Sequence, residues 1–122
     1  GTVPTGDDLL LEIEVDPAHR PLDILVEVSF HADDGLLVSS LRTRPEDLES
    51  VEDEGFALLL RVPRLPFLGG RYYLDVSLRS CEHGEILHRL ASCAEVVVPA
   101  APDAQGLVSL DATWTVKRQI SA

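Results

Sequence analysis

Residues 70–79 read GRYYLDVSLR, and this stretch decides the fold class. Apolar or aromatic side chains recur at every second position, namely Tyr72, Leu74, Val76 and Leu78. The positions between them are mostly polar, and they are Tyr73, Asp75, Ser77 and Arg79. Alternation with a period of two is typical of a β-strand that buries one face and exposes the other. The stretch therefore predicts a half-buried strand with a polar outer face.

The segment directly before this strand is apolar and ends in two glycines, Gly69 and Gly70. With Leu65 and Phe67, and with two tyrosines following, it resembles the corner at the start of strand F in immunoglobulin-like domains. In that corner a tyrosine hydroxyl ties the crossing loop to the backbone. The same residues also fit a tyrosine pair that serves only packing, and the sequence leaves both interpretations open.

The period of two continues along the rest of the chain. Alternating stretches cover residues 9–15, 22–31, 36–41, 56–62, 86–98 (one long or two short strands) and 107–116. Turn signals separate them, because the Asp and Gly residues at 33–35 and 82–84 tolerate a positive φ. The acidic residues 43–55 predict a loop that crosses between sheets, with one helical turn near 45–49. The whole pattern predicts an all-β fold, an immunoglobulin-like antiparallel β-sandwich of seven to nine strands.

The length and the net charge of the chain exclude several classes of function. The 122 residues fit a single domain, which we assign to residues 1–122. A net charge of −11 argues against a nucleic-acid partner, because such a partner requires cations that neutralise phosphates. The single lysine, Lys117, does not follow a Gly-rich run, so the sequence has no phosphate-binding P-loop. Because Gly1 stands in place of an initiator Met, without a signal peptide, we expect a domain excised from a longer chain.

Residue types that carry chemistry are present, but their spacing fits no known site. Cys81, His83, His88 and Cys93 offer two thiols and two imidazoles, yet they match no zinc motif. The acidic clusters lack the calcium-loop pattern, and the chain has no nucleophile elbow. We therefore predict no metal site, no cofactor, no catalytic residue and no enzymatic activity. We interpret both cysteines as reduced thiols, and a disulfide in an oxidising compartment stays open.

The order of short motifs resembles one known family. Thr5-Gly6-Asp7 precedes the first strand, Asp34-Gly35 is followed by three apolar residues, and Val62-Pro63 leads through Leu65 and Leu68 into residues 70–76. The chain closes with residues 106–110 and Trp114. Over about residues 4–116, this order resembles the carbohydrate-binding C-terminal domain of the ATP-binding protein of O-antigen ABC exporters, the Wzt type.

The resemblance implies a β-sandwich that follows a nucleotide-binding domain at the cytoplasmic, inner face of the cell membrane. It implies a binding module that recognises the terminus of a cell-surface polysaccharide, an O-antigen-like part of lipopolysaccharide, and couples it to export. The implied partners are that polysaccharide terminus, the upstream nucleotide-binding domain, the membrane subunit of the exporter and a second copy of the chain. ATP hydrolysis would belong to the upstream domain.

Strand alternation places a candidate carbohydrate site on one sheet face. If the strands near 22–31, 73–79 and 88–98 form one sheet, polar side chains converge on its outer face; they are Glu27, Ser29, His31, Tyr73, Asp75, Ser77 and Arg79. This face mixes donors and acceptors around one aromatic ring, as sugar hydroxyls and ring faces require. The other sheet would present Glu12, Glu14 and Arg61, without an aromatic residue. An ordinary solvated sheet face remains the alternative for each residue.

The C-terminal part of the chain predicts a homodimer. Pro99 and Pro102 stiffen the connector at residues 99–106 and resist a tight hairpin back onto the preceding strand. The final strand at 107–116 then carries an apolar face, with Trp114 placed for core or interface packing, that a second copy could bury by strand exchange.

Two other functions stay open at this point. One is an extracellular immunoglobulin-like adhesion or structural module, in which Cys81 and Cys93 form a disulfide. The other is the same sandwich fused to a polysaccharide-modifying enzyme.

Overall fold

Two antiparallel sheets form the protein in the computed structural model, which describes residues 1–15, 23–49, 51 and 55–117. Expectations for Leu22 and the acidic residues 52–54 lie outside this part of the chain. The elements in chain order are β1 (Leu9–Val15), β2 (Ile24–Ala32), β3 (Leu37–Arg42), α1 (Pro45–Leu48), β4 (Phe56–Val62), β5 (Gly70–Ser80) and β6 (Ile86–Val98). The all-β sandwich predicted from the sequence is confirmed, with six strands in the described residues.

The smaller sheet pairs β1 with β4, and the larger sheet has the order β3-β2-β5-β6. The connection from β3 to β4 is one of the crossings between the sheets, and its described residues contain the helical turn α1, as expected from the acidic stretch. Leu48 anchors that turn in the core. The N-terminal segment adds to the edge of β6 in parallel, because the amide of Val3 donates to the Val97 carbonyl and the amide of Val97 to the Gly1 carbonyl.

The core follows the alternation in the sequence. Every second residue of β2 from Ile24 to Phe30 is buried between the sheets, and so are Tyr72, Leu74 and Leu78 of β5. The facing side chains of β1 and β4 are buried or half-buried. Burial at about 25 cal/mol per Å² of apolar surface is the main source of stability in such a core.

The corner before β5 is the immunoglobulin-type tyrosine corner, so Tyr72 does more than pack. Its hydroxyl donates to the Leu68 carbonyl at 2.5 Å, and its ring lies 4.7 Å from that of Phe67, centre to centre. Burial raises the pKa of Tyr72, which keeps the hydroxyl protonated as a donor at neutral pH. The backbone of Ala100 passes so close that a Cβ on Gly69 would lie 2.5 Å from its Cα, which explains the glycine.

The final segment departs from the expectation. Instead of a strand over 107–116, it makes one isolated bridge between Val108 and Phe67, and no strand follows within the described residues. Trp114 is 97% exposed, so it does not belong to the core of its own chain. The connector brings residues 107–109 onto the outside of the corner at 66–68. Beyond that point the segment leaves the sandwich.

We expect Tyr72→Phe to lower the free energy of unfolding by about 1–3 kcal/mol, because the buried Leu68 carbonyl loses its donor. Tyr73→Phe removes the same hydroxyl from the half-buried neighbour on the opposite face and should change stability by less than about 0.5 kcal/mol. Urea denaturation of both variants checks this. Equal stability of the two would contradict a structural role for the corner bond.

Candidate functional site

All seven residues expected in the carbohydrate site lie on the outer face of the larger sheet. The register of β2 and β5 places Glu27 opposite Ser77, Ser29 opposite Asp75 and His31 opposite Tyr73. Arg79 pairs with Leu25 on the same face. β6 flanks β5 as assumed, and β3 completes the sheet on the other side of β2. The opposite sheet exposes Glu12, Glu14 and Arg61, as predicted.

A row of four residues crosses this face, one from each strand, and we call it the arginine row. It consists of Arg42, Glu27, Ser77 and Arg89, in the order β3-β2-β5-β6. The sequence-based site contained only the two central members. Arg42 and Arg89 were missed because their place depends on how β3 and β6 pair with the central strands. The sequence signal that could have found them was the alternation of side chains along β3 and β6, which places both arginines on the outer face.

Glu27 is only 6% exposed, because two arginines cover it. The Nε of Arg42 donates to one carboxylate oxygen, and the Nε of Arg79 lies 3.3 Å from the other. Burial by itself raises the pKa of Glu27, but the hydrogen bonds and charges of the two arginines outweigh it and lower the pKa below its usual value. Glu27 is therefore an ionised, fully partnered carboxylate at neutral pH.

Asp75 is 7% exposed and holds a bulge of β6 in place. The Ser92 amide donates to its Oδ1 at 2.6 Å, and Arg89 donates to its Oδ2 at 2.7 Å. The Nε2 of His31 lies 3.2 Å from the same Oδ2. Burial raises the pKa of Asp75, but these contacts, led by the Ser92 amide, outweigh it and lower the pKa. Ser92 has a φ of 48°, so Asp75 fixes an uncommon backbone conformation.

An open depression of about 340 Å³ lies at the end of the face beside the β2–β3 turn. Its polar lining comes from His31, Asp33, Tyr73, Asp75, Arg89 and Ser92. Asp33 is exposed and Tyr73 is half-buried, so a carboxylate and an aromatic ring border the same space. The sequence had placed Asp33 only in a turn. Asp33 follows His31 by two residues, at the start of the hairpin turn, and this spacing could have indicated that both side chains border the same space.

The seven predicted residues therefore fall into two groups, one at the depression and one at the arginine row, with Ser29 between them. His31, Tyr73 and Asp75 meet in the depression, whereas Glu27, Ser77 and Arg79 lie in or next to the arginine row. Ser29 lies between them, with its hydroxyl 3.1 Å from that of Ser40 on β3. Glu27, Asp75 and Ser77 are buried although they lie on the outer face. The groups that remain able to contact a ligand are the Tyr73 ring, the side-chain hydroxyls, the Asp33 carboxylate and the solvent-exposed nitrogen atoms of the arginines.

The two cysteines lie at different levels of the larger sheet. The Sγ of Cys93 lies 3.3 Å from the Leu74 carbonyl in the middle of β5, whereas Cys81 follows the end of β5. Seven residues of strand separate those levels, about 23 Å, which is far beyond disulfide reach. Both cysteines are free thiols, so the disulfide required by an adhesion module is not formed.

The described residues lack two other kinds of feature, a metal cluster and a membrane-spanning helix. They contain no group of three or more His, Cys, Asp and Glu side chains arranged to hold a metal ion. None of the helical residues in this part of the chain forms a segment long and apolar enough to cross a membrane.

The sheets, the corner and the N-terminal segment on β6 define an immunoglobulin-like β-sandwich with a polar, partly concave sheet face. Among solved structures, the chain is similar to one described as the crystal structure of the C-terminal domain of Wzt. The TM-score is 0.63 at 16% identity, over 93% of this chain and 72% of that chain. The resemblance inferred from motif order is thereby confirmed as a structural similarity. No family model and no curated protein matches the sequence.

The lowered pKa values of Glu27 and Asp75 predict how stability depends on pH. A carboxyl whose folded pKa is depressed stabilises the fold above its unfolded pKa, and this contribution is lost as the pH falls through the folded value. The unfolding free energy should thus decrease below about pH 5. Asp75→Asn should cost about 2–3 kcal/mol at neutral pH and flatten that decrease. Asp33→Asn, at an exposed site, serves as the control in denaturation between pH 7 and 3. An unchanged acid slope in Asp75→Asn would contradict the assignment.

Proposed function

We propose that this chain is a carbohydrate-binding module of a polysaccharide ABC exporter, which recognises the terminus of a cell-surface, O-antigen-like polysaccharide and couples it to export. The observation that carries the proposal is the depression around Tyr73, on a fold that is similar to the C-terminal domain of Wzt. The proposed site is the face of Glu27, Ser29, His31, Tyr73, Asp75, Ser77 and Arg79, extended by Asp33, Arg42 and Arg89.

The physics of sugar binding fits this face. A pyranose presents a weakly apolar ring face, which the half-buried Tyr73 ring can stack against, and a set of hydroxyls. Asp33 accepts hydrogen bonds from such hydroxyls, and the exposed N–H groups of Arg89 donate to them. Asp75 acts as a positioning residue, because its carboxylate is occupied by Ser92, Arg89 and His31. A site held by paired strands and buried charges loses little conformational entropy when it binds.

The electrostatics of the face favour binding over hydrolysis. A glycoside hydrolase needs one carboxylic acid whose pKa is raised, so that it can protonate the leaving group. The two buried carboxyls of this face, Glu27 and Asp75, have lowered pKa values and stay ionised. We therefore assign no catalytic residue to this face, and we assign ATP hydrolysis to an upstream nucleotide-binding domain.

The proposed cellular setting follows from the same assignment. The module would act at the cytoplasmic face of the membrane, with the nucleotide-binding domain and the membrane subunit of the exporter as partners. The N-terminal segment pairs with the end of β6, the strand that also carries Arg89 and Ser92. Chain arriving from an upstream domain would thus join the sandwich next to the binding face.

We also propose a strand-exchanged homodimer within this function. Within the described ranges β1 pairs only with β4, so its other edge carries no strand. A groove of about 350 Å³ runs between β1 and β6 and is lined largely by apolar side chains, including Ile13, Leu78 and Leu90. The final segment exposes Leu110, Trp114 and Val116 by 82%, 97% and 81%. Residues 110–116 of one copy match the length of β1 in the other and would cover this groove.

We expect Tyr73→Ala to weaken binding of polysaccharide from the source organism about 10- to 100-fold, because the stacking ring is lost from the depression. Asp75→Ala should weaken it to a similar degree by releasing the β6 bulge. Arg61→Ala on the opposite sheet is the control and should bind like the wild type. Titration calorimetry measures the affinities. Unchanged affinity in both face variants, with circular dichroism showing an intact fold, would refute this site.

Removal of residues 110–122 should abolish dimerisation, because these residues carry the exposed apolar side chains and leave the corner contacts of Leu107 and Val108 intact. Light scattering on the intact chain should give twice the 13.3 kDa chain mass at tens of micromolar. The single tryptophan provides a second readout, since emission from Trp114 should shift to shorter wavelength as the dimer forms. A mass of one chain with solvent-exposed Trp114 emission would rule out exchange.

A further inference from the structure

The arginine row carries more positive charge than the buried carboxylates require. Its two guanidinium groups, those of Arg42 and Arg89, together with that of the neighbouring Arg79, contact only two carboxylates, Glu27 and Asp75. This surplus of positive charge stands out in a chain whose net charge is −11. His31 adds a further positive charge whenever it is protonated. Of the two acidic residues that border the depression, Asp75 is already paired with Arg89 and His31, and the exposed Asp33 lies at the end of the face beside the β2–β3 turn.

The two outer arginines keep most of their hydrogen-bonding capacity. A guanidinium group has five N–H donors in a fixed planar arrangement. Arg42 contacts Glu27 through its Nε, and Arg89 contacts Asp75 through its Nη2. Their side chains remain 56% and 53% exposed. The buried carboxylates thus orient both guanidinium groups and leave their remaining donors directed at solvent.

Oriented guanidinium groups with unused donors favour one ligand chemistry. Carboxylate and phosphate oxygens match the fork of an arginine and form two parallel charge-assisted hydrogen bonds with it. A neutral hydroxyl offers neither the opposite charge nor the second parallel bond, so it gains less from such a donor than an anion does. Screening at physiological ionic strength has a length of about 8 Å, so the acidic remainder of the chain has limited influence at this row.

We propose that the arginine row binds an anionic group, a carboxylate or a phosphate, on the glycan that the outer face recognises. This inference rests on the proposed function and specifies its substrate class. Four residues of β2, about 13 Å, separate Glu27 in the row from His31 at the depression. Arg42 therefore lies well away from the sugar ring that stacks on Tyr73, whereas Arg89 borders the depression, so the anionic group lies beside that ring or on a neighbouring part of the glycan.

The test compares matched oligosaccharides immobilised on a sensor surface. One set ends in neutral hexoses, a second set carries uronic acid, and a third carries a hexose phosphate on the same backbone. The intact chain should bind at least one charged set about ten-fold or more tightly than the neutral set. The comparison of the second and third sets identifies the carboxylate or the phosphate as the recognised group. Raising the salt from 50 to 300 mM should weaken binding to the charged set only.

Arg42→Gln combined with Arg89→Gln should remove the preference for the charged set and leave a weakened, Tyr73-dependent binding to all sets, because Arg89 also borders the depression. Arg79 stays with Glu27, and Ser92 and His31 stay with Asp75, so the double variant retains partners for both buried carboxylates. Arg61→Gln, which removes an exposed arginine from the opposite sheet, is the matched control. Lysine at positions 42 and 89 keeps the charge without the fork and should restore only part of the preference.

The outcomes separate the two proposals. Equal, Tyr73-dependent binding of neutral and charged sets would overturn the anionic-group inference and leave the proposed function in place. A charge preference that the double variant retains would also overturn it. Absence of binding to every set and to polysaccharide from the source organism would overturn the proposed function itself.

Discussion

The hydrogen bond from the Tyr72 hydroxyl to the Leu68 carbonyl is the constraint on which the rest of this structure depends. It closes the corner through which the chain passes from the smaller sheet to the larger one. The corner side chains Leu65 and Phe67 fill the core beneath β5, and Phe67 makes an edge-to-face contact with Phe30 of β2. Because β5 is held at this end, its alternation assigns Tyr72 and Leu74 to the core, and Tyr73 and Asp75 to the outer face.

Buried charged groups determine how the side chains of the outer face are arranged. Placing Glu27 and Asp75 under a layer of arginines costs desolvation energy, and a well-packed apolar pair would be about as stable. What the charges provide is orientation: Glu27 directs two arginines, and Asp75 fixes the β6 bulge, His31 and Arg89. Such an arrangement suits a surface that must present donors in fixed positions to a polar ligand. It also keeps both carboxyls ionised, which separates this face from the acid–base sites of hydrolases.

The edges of the sandwich are the structural basis of the proposed dimer. The N-terminal segment covers the end of β6, whereas the groove beside β1 and the apolar final segment are both open in the single chain. An open sheet edge and exposed apolar side chains are liabilities in an isolated domain. The groove beside β1 and the final segment have similar lengths. Both would be covered in a dimer in which each copy supplies the strand that the other lacks. Binding face and dimer contact would then lie on different sides of the molecule.

The sequence by itself determined which residues of β2 and β5 face the core and which face out, because the period of two is a local property of the backbone. It therefore predicted the sandwich, the composition of the outer face from Glu27 to Arg79, and the hairpin turns. Only the tertiary structure decided which strands lie side by side, since register arises from contacts between residues far apart in the chain. Arg42 and Arg89 joined the site for that reason, and Glu27 and Asp75 became buried beneath them. The final segment shows the same limit of sequence-based prediction. Its side chains alternate as in a strand, but a strand forms only where the edge of a neighbouring strand accepts its hydrogen bonds.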